Sequence, residues 1–263
     1  MRDAIERSAQ RLIDAASTGV PCEPIIDLLP DGTVDDAYAV QQRVIELTRQ
    51  GARRVGRKIG LTSPVVQQMF GVDRPDFGVL FGDMAIGDSE PVPATRLMQP
   101  RVEAEVAFVL GSELPEHQVT VADVVRATDF LLPAIEVVDS RIAGWDISIV
   151  DTVADNASSG RYVLGTTPRR VSDVDLRLCG AVLESAGEPV SVGAGAACLG
   201  NPLHAVAWLA TTLAGNGSPL RAGDVVLSGA LGPMVPVTPG ASYEARISGL
   251  GSVRANFAKG ANQ

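Results

Sequence analysis

Histidine and cysteine are scarce in this 263-residue sequence, and their scarcity excludes several kinds of site. The two histidines, His117 and His204, have no serine or cysteine nucleophile beside them, so a histidine-based triad is not expected. The three cysteines, Cys22, Cys179 and Cys198, lie far apart and form no CxxC pair. They predict neither a zinc motif nor a disulfide framework, and they suit a reducing compartment.

Positive charge and long apolar runs are also lacking. The 22 basic residues are outnumbered by 31 acidic ones, for a formal net charge of −9. Neither nucleic acid nor an anionic membrane surface is therefore expected as a partner. No apolar run is long enough to span a bilayer, and the opening residues carry acids where a signal peptide has its apolar region. A cytoplasmic protein is expected. The sequence also contains no P-loop and no complete glycine motif for a dinucleotide.

Two apolar runs that carry carboxylates dominate what is present. Residues 101–110 read as a buried strand, and Glu103 and Glu105 lie two positions apart, on the same face of it. Glu136 is the only charge in the similar run 131–138. Because buried acids are rare unless they are paired or bound to metal, the three glutamates predict a site for a hard divalent cation such as Mg²⁺ or Mn²⁺. The alternative is a charged edge strand with its glutamates in water.

A lysine lies on a further predicted strand, residues 54–61. Lys58 shares a face with Gly56 and Gly60, which have no side chains. This pattern predicts open space around the ammonium group, as a ligand pocket needs. A solvated lysine on an edge strand is the alternative.

Two polar segments are predicted to be loops. Residues 72–81 have no clear period and are rich in turn formers, and Asp76 within them is a candidate general acid or base. The alternative is a turn former, which is the commoner role of an isolated aspartate. Residues 151–160 are small and polar, so they would offer hydroxyl and amide donors or form a plain connector.

The remaining patterns indicate an α+β fold. A helix is predicted over residues 2–16, and a second follows a capping box at residues 33–36, with Gly51 as its C-cap. Its predicted buried face consists of Ala37, Val40, Val44 and Leu47. The C-terminal third is rich in short strands, with a helix from Asn201 and a closing hairpin over 243–257. Such strands favour an antiparallel or mixed barrel or roll over a doubly wound parallel sheet.

Five runs carry a family resemblance. GRKIGLTSPVVQQMFGVDRPDFGVLF, QPRVEAEVAFVL, PAIEVVDSRI, DTVADNASSG and GDVVLSGALGPM together resemble the 2-keto-4-pentenoate (2-hydroxypenta-2,4-dienoate) hydratases of the fumarylacetoacetate hydrolase superfamily. The resemblance covers most of the chain, in order. It implies that residues 1–75 form an N-terminal helical cap region. It also implies that residues 76–263 form the superfamily's mixed β-roll as the catalytic domain.

The resemblance also implies roles for individual residues. It assigns Glu103, Glu105 and Glu136 to the metal, and Lys58 and Asp76 to catalysis. The residues it places along the substrate are Leu80, Ser158, Ser159, Ser228 and Gly229.

The activity implied by the resemblance is addition of water to a small 2-hydroxydienoate in the meta-cleavage degradation of aromatics. A homo-oligomer, pentameric or decameric, is implied, with an aldolase or decarboxylase of the same pathway as a possible partner. The nearest alternative is 4-oxalocrotonate decarboxylase, a relative with the same metal carboxylates. A non-catalytic partner subunit of the same fold is a second alternative. A hydrolase that cleaves carbon–carbon bonds is less expected, because it uses a histidine near the site.

Overall fold

The structure is a computed structural model that describes residues 1–29, 31–93, 97–115 and 117–259. Its helices are α1 Arg2–Thr18, α2 Val34–Thr48, α3 Pro64–Phe70, α4 Val121–Ala127, α5 Ile149–Ala154 and α6 Pro202–Gly215. Its strands are β1 Arg54–Gly60, β2 Asp76–Phe81, β3 Ala85–Ile86, β4 Pro91–Val92, β5 Arg101–Leu110, β6 Thr128–Val138, β7 Ser159–Leu164, β8 Gly180–Ser185, β9 Glu188–Ala194, β10 Val225–Leu227, β11 Val235–Pro236, β12 Ser242–Ile247 and β13 Gly251–Phe257.

The strands form two sheets. The larger sheet has the order β2-β1-β10-β5-β6-β7-β3, and β11 also pairs with β5. The smaller sheet has the order β4-β13-β12-β8-β9. β1 pairs with β10 in parallel and with β2 in antiparallel fashion, so the larger sheet is mixed. The predicted α+β class and mixed roll are confirmed.

The long central strand β5 divides the interior into two layers. The side chains of Val102, Val106 and Phe108 point into the main core, which also contains α6 and the smaller sheet. The opposite face of β5 carries Glu103 and Glu105, and further along the strand it joins a smaller apolar cluster. One sheet face thus presents carboxylates beside apolar packing.

The N-terminal helices α1 and α2 form an apolar cluster with α5, and Ile45 of α2 packs against the smaller cluster on the second sheet face. The capping box predicted at the start of α2 is present, because Thr33 and Asp36 bond reciprocally. Ala37 and Val40 are buried as predicted, but the prediction for Leu47 is wrong, since its side chain is 41% exposed. α2 also ends at Thr48, before Gly51.

Two predicted loops are regular structure. Residues 76–81 form β2, which is buried on both faces and therefore shows no polar–apolar alternation. Residues 149–154 form α5, which begins with a Ser148–Asp151 capping box, and β7 follows from Ser159. In the C-terminal third, α6 begins after its Asn201 cap and β12 and β13 form the hairpin, as predicted.

The position of β1 bears on the domain division. β1 lies between β2 and β10 inside the larger sheet, so this strand belongs to the roll and not to the helical layer. The division at residue 75 stays a prediction. None of the helices in the described parts of the chain has the length and apolar content needed to cross a membrane.

Candidate metal centre and active site

Three glutamates converge on the β5–β6 strand pair. Glu103 lies directly opposite Glu136 in the ladder, and Glu105 lies on the same face as Glu103. One carboxylate oxygen of each residue lies within 4.8 Å of one from each of the others. Glu105 and Glu136 are fully buried, and Glu103 is partly exposed to a cavity. The alternative of glutamates in water is therefore excluded.

The electrostatics of these carboxylates favour a cation. Burial and the neighbouring Glu136 raise the pKa of Glu103 to about 7. Burial, followed by the charges of Glu136 and Glu103, raises the pKa of Glu105 well above its usual value. Within the described residues, Glu105 Oε1 and Glu136 Oε2 have no hydrogen-bond donor. Clustered buried oxygens without donors fit a hard divalent cation, which would supply the missing positive charge.

Lys58 supplies one positive charge beside the cluster. Its ammonium lies 3.3 Å from Glu136 Oε1 and donates to the backbone oxygen of Ala157 at 2.9 Å. Burial lowers the pKa of Lys58, but the charges of Glu136, Asp76 and the other glutamates outweigh it and raise that pKa overall. Lys58 is only 3% exposed on a strand inside the sheet, so the alternative of a solvated edge lysine is wrong.

The two glycines beside Lys58 have different roles. A Cβ on Gly60 would lie 2.2 Å from Asp76 Oδ1 and 3.5 Å from Lys58 Nζ, so this glycine does clear space at the ammonium group. A Cβ on Gly56 would instead lie 1.8 Å from the Val225 oxygen. Gly56 is therefore needed for the close approach of β10, and the prediction that it opens the pocket is wrong.

Asp76 completes the charged wall of the site. It lies opposite Gly60 at the start of β2, and its Oδ1 is buried without a hydrogen-bond partner among the described side chains and backbone groups. Burial raises the pKa of Asp76, and the nearby Lys58 partly offsets that rise. A buried carboxyl group with a raised pKa is a candidate general acid or base.

The turn after β10 holds one of the three clustered carboxylates. The backbone N–H of Gly229 donates to Glu105 Oε2 at 2.9 Å. Gly229 has a φ of 104°, and a Cβ there would lie 2.5 Å from the Thr62 side chain. Ser228 is fully buried, and its backbone oxygen accepts from Cys198 Sγ. Ser228 and Gly229 thus lie next to the site, where Ser228 contacts Cys198 and Gly229 contacts Glu105.

The other predicted substrate residues divide into two groups. Ser158 lines the cavity beside Lys58 and Asp76, and its hydroxyl lies 3.4 Å from that of Thr152. The side chain of Ser159 points away from that of Ser158 and lines a separate cavity beside α1 and α2. Leu80 lies on the site-facing side of β2 but is fully buried in the apolar cluster beyond the carboxylates. The structure does not bring Leu80 and Ser159 into this cavity.

A left-handed turn positions the backbone acceptor of Lys58. Asn156, Ala157 and Ser158 have φ values of 55°, 52° and 53°, a run that L-residues rarely adopt. The Asn156 side chain accepts from Val79 N and donates to Val79 O, which attaches the turn to β2. Asp155, directly before the turn, forms a buried ion pair with Arg141. The sequence interpretation missed this turn, although asparagine before two small residues was a weak signal.

The cavity leading to these groups is about 380 Å³ in volume. Its inner end holds Lys58, Asp76 and Glu103. Its outer part is apolar, which sequence reasoning did not find, and its large side chains are Val65, Val66, Phe70, Trp145, Ile147 and Met234. The arrangement suits a small acid whose charged end reaches the carboxylate cluster and whose hydrocarbon end lies among apolar side chains.

Comparison with known proteins agrees with this geometry. The family model for the fumarylacetoacetate (FAA) hydrolase C-terminal region matches residues 50–258. The chain belongs to the fumarylacetoacetate hydrolase family. The match begins before β1, which is consistent with the place of that strand in the sheet.

Individual members of the fumarylacetoacetate hydrolase family are highly similar to this chain. The chain is 58% identical over 256 residues to 2-keto-4-pentenoate hydratase of Paraburkholderia xenovorans, covering 96% of this chain and 94% of the relative. It has the same identity and coverage with 2-keto-4-pentenoate hydratase 3 of Pseudomonas putida. A solved structure of 4-oxalocrotonate decarboxylase from Pseudomonas putida G7, complexed with magnesium and adipate, matches at 36% identity with a TM-score of 0.92 over 98% of both chains. The predicted resemblance to the hydratases is confirmed.

Proposed function

We propose that this chain is a divalent-metal-dependent hydratase that adds water to 2-hydroxypenta-2,4-dienoate and yields 4-hydroxy-2-oxopentanoate. The observation that carries the proposal is the glutamate trio beside the buried Lys58 ammonium, at the inner end of an otherwise apolar cavity. A 2-oxo or 2-hydroxy acid offers two adjacent oxygens to such a centre, and its hydrocarbon part fits the apolar outer region. The 58% identical relatives are named 2-keto-4-pentenoate hydratase, which supports the same reaction. The proposed setting is the meta-cleavage degradation of aromatics.

The proposed cofactor is Mg²⁺ or Mn²⁺, held by Glu103, Glu105 and Glu136. Three carboxylate ligands suit these hard ions better than zinc or copper. When bound, the cation would offset the charge of the carboxylates and polarise the 2-oxygen of the substrate.

Lys58 is proposed to hold an anionic oxygen of the substrate. Its raised pKa keeps the ammonium charged at neutral pH, so it is unsuited to act as a base. An ammonium has three N–H donors; one donates to the Ala157 oxygen, and Glu136 Oε1 lies 3.3 Å away as an ion-pair partner. The ammonium thus has donors available to a ligand in the cavity that Lys58 lines.

Asp76 is proposed to move the protons. The dienol first becomes the 2-oxo-3-enoate when its enol proton is lost and a proton is added at the terminal carbon. Water then adds its hydroxyl to C4 and a proton to C3, so one water is consumed and the product gains no charge. Asp76 is proposed to take the proton of water and return it to carbon, because it lines the cavity and its buried Oδ1 has no partner among the described groups.

Ser158 is proposed to hydrogen-bond the substrate from the cavity wall. Ser228 and Gly229 are proposed to act indirectly, because the Gly229 N–H fixes the orientation of Glu105.

Decarboxylation of 2-oxo-3-hexenedioate is the second candidate, and the similarity to the solved 4-oxalocrotonate decarboxylase favours it. The cavity argues for the hydratase. Lys58 is the single cationic side chain among the described residues that line it. The second carboxylate of a dicarboxylic substrate would therefore lie among apolar lining residues, which is unfavourable. The nearest cation at that end, Arg101, lines the neighbouring cavity and is stacked over the Trp145 ring.

The deciding experiment supplies each substrate separately with Mg²⁺ and identifies the products. Formation of 4-hydroxy-2-oxopentanoate from the pentadienoate, with no CO₂ from the hexenedioate, is the expected result. Release of CO₂ from the hexenedioate without hydration of the pentadienoate would establish the decarboxylase instead.

We further propose a cytoplasmic homo-oligomer, pentameric or decameric, that works beside an aldolase or decarboxylase of the same pathway. The division into a cap region of residues 1–75 and a catalytic roll of residues 76–263 remains part of this proposal, with β1 as the strand that the first region contributes to the larger sheet.

A further inference from the structure

One residue stands between the cavity of the proposed active site and a neighbouring cavity. The second cavity, about 500 Å³ in volume, is lined by apolar side chains that include Met98, Val237 and Phe257. Among the described residues that line the two cavities, Trp145 is the one they share. Its indole therefore separates them.

Trp145 is linked to the carboxylate strand β5 through Arg101. The guanidinium carbon of Arg101 lies 4.4 Å from the centre of the Trp145 ring. Arg101 precedes Glu103 by two positions on the same face of β5, so their backbones are about 7 Å apart. Arg101 Nη1 also approaches Met234 Sδ at 3.8 Å. The contact with Arg101 thus fixes the plane of the indole at the outer end of the cavity, near the strand that carries the glutamates.

The backbone of Trp145 is held in an unusual conformation. Gly144 and Trp145 have φ values of 65° and 59°, and a positive φ is rare for a bulky residue. Gln99 stabilises this conformation from two sides. Its side-chain oxygen accepts from Gly144 N at 2.7 Å, and its backbone oxygen accepts from Trp145 Nε1 at 3.1 Å. Its amide nitrogen donates to the oxygens of Ile142 and Ser140.

Backbone strain that the surroundings hold in place often marks a functional position. Here the strained residue projects a large, rigid apolar surface across the end of the proposed substrate cavity. An ordinary helical or extended backbone at residue 145 would aim the indole elsewhere and join the two cavities.

We propose that Trp145 is the specificity-determining residue that limits the substituent on the terminal carbon of the dienoate, and that Gln99 is its positioning residue. The proposal rests on the proposed function, because it concerns the far end of the same substrate. Wild-type protein is expected to accept a hydrogen or a methyl group at that carbon. A phenyl group requires the space that the indole occupies.

The test compares kcat/KM for 2-hydroxypenta-2,4-dienoate with that for 2-hydroxy-5-phenylpenta-2,4-dienoate, using Mg²⁺-loaded protein. In Trp145→Ala the ratio of phenyl to parent substrate is expected to rise about tenfold or more, the scale of steric discrimination in an apolar pocket. Gln99→Ala removes the side-chain bonds to Gly144, Ser140 and Ile142 that hold the backbone of Trp145, but it keeps the backbone acceptor of the indole. It is therefore expected to raise the ratio by a smaller factor. A general loss of folded protein lowers both rates and leaves the ratio unchanged.

Trp208, the other tryptophan, provides the matched control. It packs against Phe77 at a centroid distance of 6.5 Å and is absent from the described lining of both cavities. Trp208→Leu is expected to keep the wild-type ratio. An unchanged or lower ratio in both Trp145→Ala and Gln99→Ala, while the wild type hydrates the parent substrate, would overturn the proposal for Trp145. Failure of the wild type to hydrate the parent substrate would instead overturn the proposed function.

Discussion

At the scale of single residues, the three glutamates are destabilising until a cation joins them. Glu105 and Glu136 are fully buried, and Lys58 offsets only part of the charge of the cluster. Buried like charges without a partner raise the free energy of the folded state. The same groups would bind a cation tightly, so ion binding and stability are coupled through them.

Glu105→Gln tests this coupling. In EDTA the variant is expected to melt at a higher temperature than the wild type, because one buried charge is removed while the acceptor for Gly229 N–H is retained. With excess Mg²⁺ the order reverses, since only the wild type keeps three carboxylate ligands. Differential scanning calorimetry measures both. Glu184→Gln, which removes an ion pair on the exposed β8–β12 surface, serves as the control. It is expected to change the melting temperature little in either condition. Equal melting of Glu105→Gln and wild type in both conditions would contradict this reasoning.

The raised pKa of Glu103 predicts proton release on binding of the cation. Without metal, the folded protein retains a proton on a carboxyl group with a pKa of about 7, and a metal ligand must be deprotonated. Affinity for Mn²⁺ is therefore expected to fall as the pH falls through 7. Titration calorimetry at about pH 6, in two buffers with different ionisation enthalpies, counts the protons. Identical heats in the two buffers would show that no proton is released.

At the scale of elements, the site depends on contact between β2 and the left-handed turn at residues 156–158. A Cβ on Gly78 would lie 2.4 Å from the Asn156 oxygen and 3.2 Å from Lys58 Cγ. Strand β2 can therefore contact the turn closely only at a residue without a side chain. The turn places the Ala157 oxygen at the Lys58 ammonium.

Gly78→Ala is expected to destabilise the protein by about 1–3 kcal/mol, the usual cost of overpacking, and to lower kcat by displacing the acceptor of Lys58. Gly82→Ala is the matched control, since a Cβ there would meet its nearest atom at an ordinary 3.6 Å. Urea unfolding and steady-state kinetics measure the two effects. Wild-type stability and kcat in Gly78→Ala would show that the turn does not depend on this contact.

The elements also show which local signals could be interpreted from sequence. The two-residue spacing of Glu103 and Glu105 on an apolar strand was sufficient to predict that their carboxylates cluster, because strand geometry alone places both side chains on one face. β2 was missed because both of its faces are buried, so its sequence has no period. The turn at Asn156 and the backbone of Trp145 depend on contacts with β2 and Gln99, which are distant in sequence.

At the scale of the whole molecule, a buried glutamine joins the helical layer to the sheet. Gln41 on α2 is 4% exposed, and its amide donates to the Phe77 oxygen at 3.2 Å and the Val153 oxygen at 2.8 Å. It thereby connects α2 with β2 and α5. Since Phe77 follows Asp76, this contact lies directly behind the proposed active site.

Gln41→Leu is expected to lower the free energy of unfolding by about 1–3 kcal/mol, because it leaves two buried carbonyl groups without a donor. Gln42→Leu is the matched control, as Gln42 bonds only to Glu46 on the exposed face of the same helix. Equilibrium urea denaturation compares the two. Equal stability of both variants would show that the helical layer does not depend on Gln41.

The overall α+β roll was predictable because its strands and helices carry ordinary periodic and capping signals, and the family runs extend along most of the chain. The position of β1 was less accessible, because its pairing with β10 joins residues 56–58 to residues 225–227, far apart in sequence. The contrast between the charged inner end and the apolar outer end of the cavity required the folded chain.

The glutamate trio is the proposed metal centre of the hydratase. It can be tested by the initial rate of loss of the ultraviolet absorbance of 2-hydroxypenta-2,4-dienoate as Mn²⁺ is added to metal-free wild type and Glu136→Gln. We expect a saturable rise in the wild type, with 4-hydroxy-2-oxopentanoate as product, and no rise in the variant at the same concentrations. Equal rates with and without Mn²⁺, or equal activation of both proteins, would show that the trio is not the metal centre.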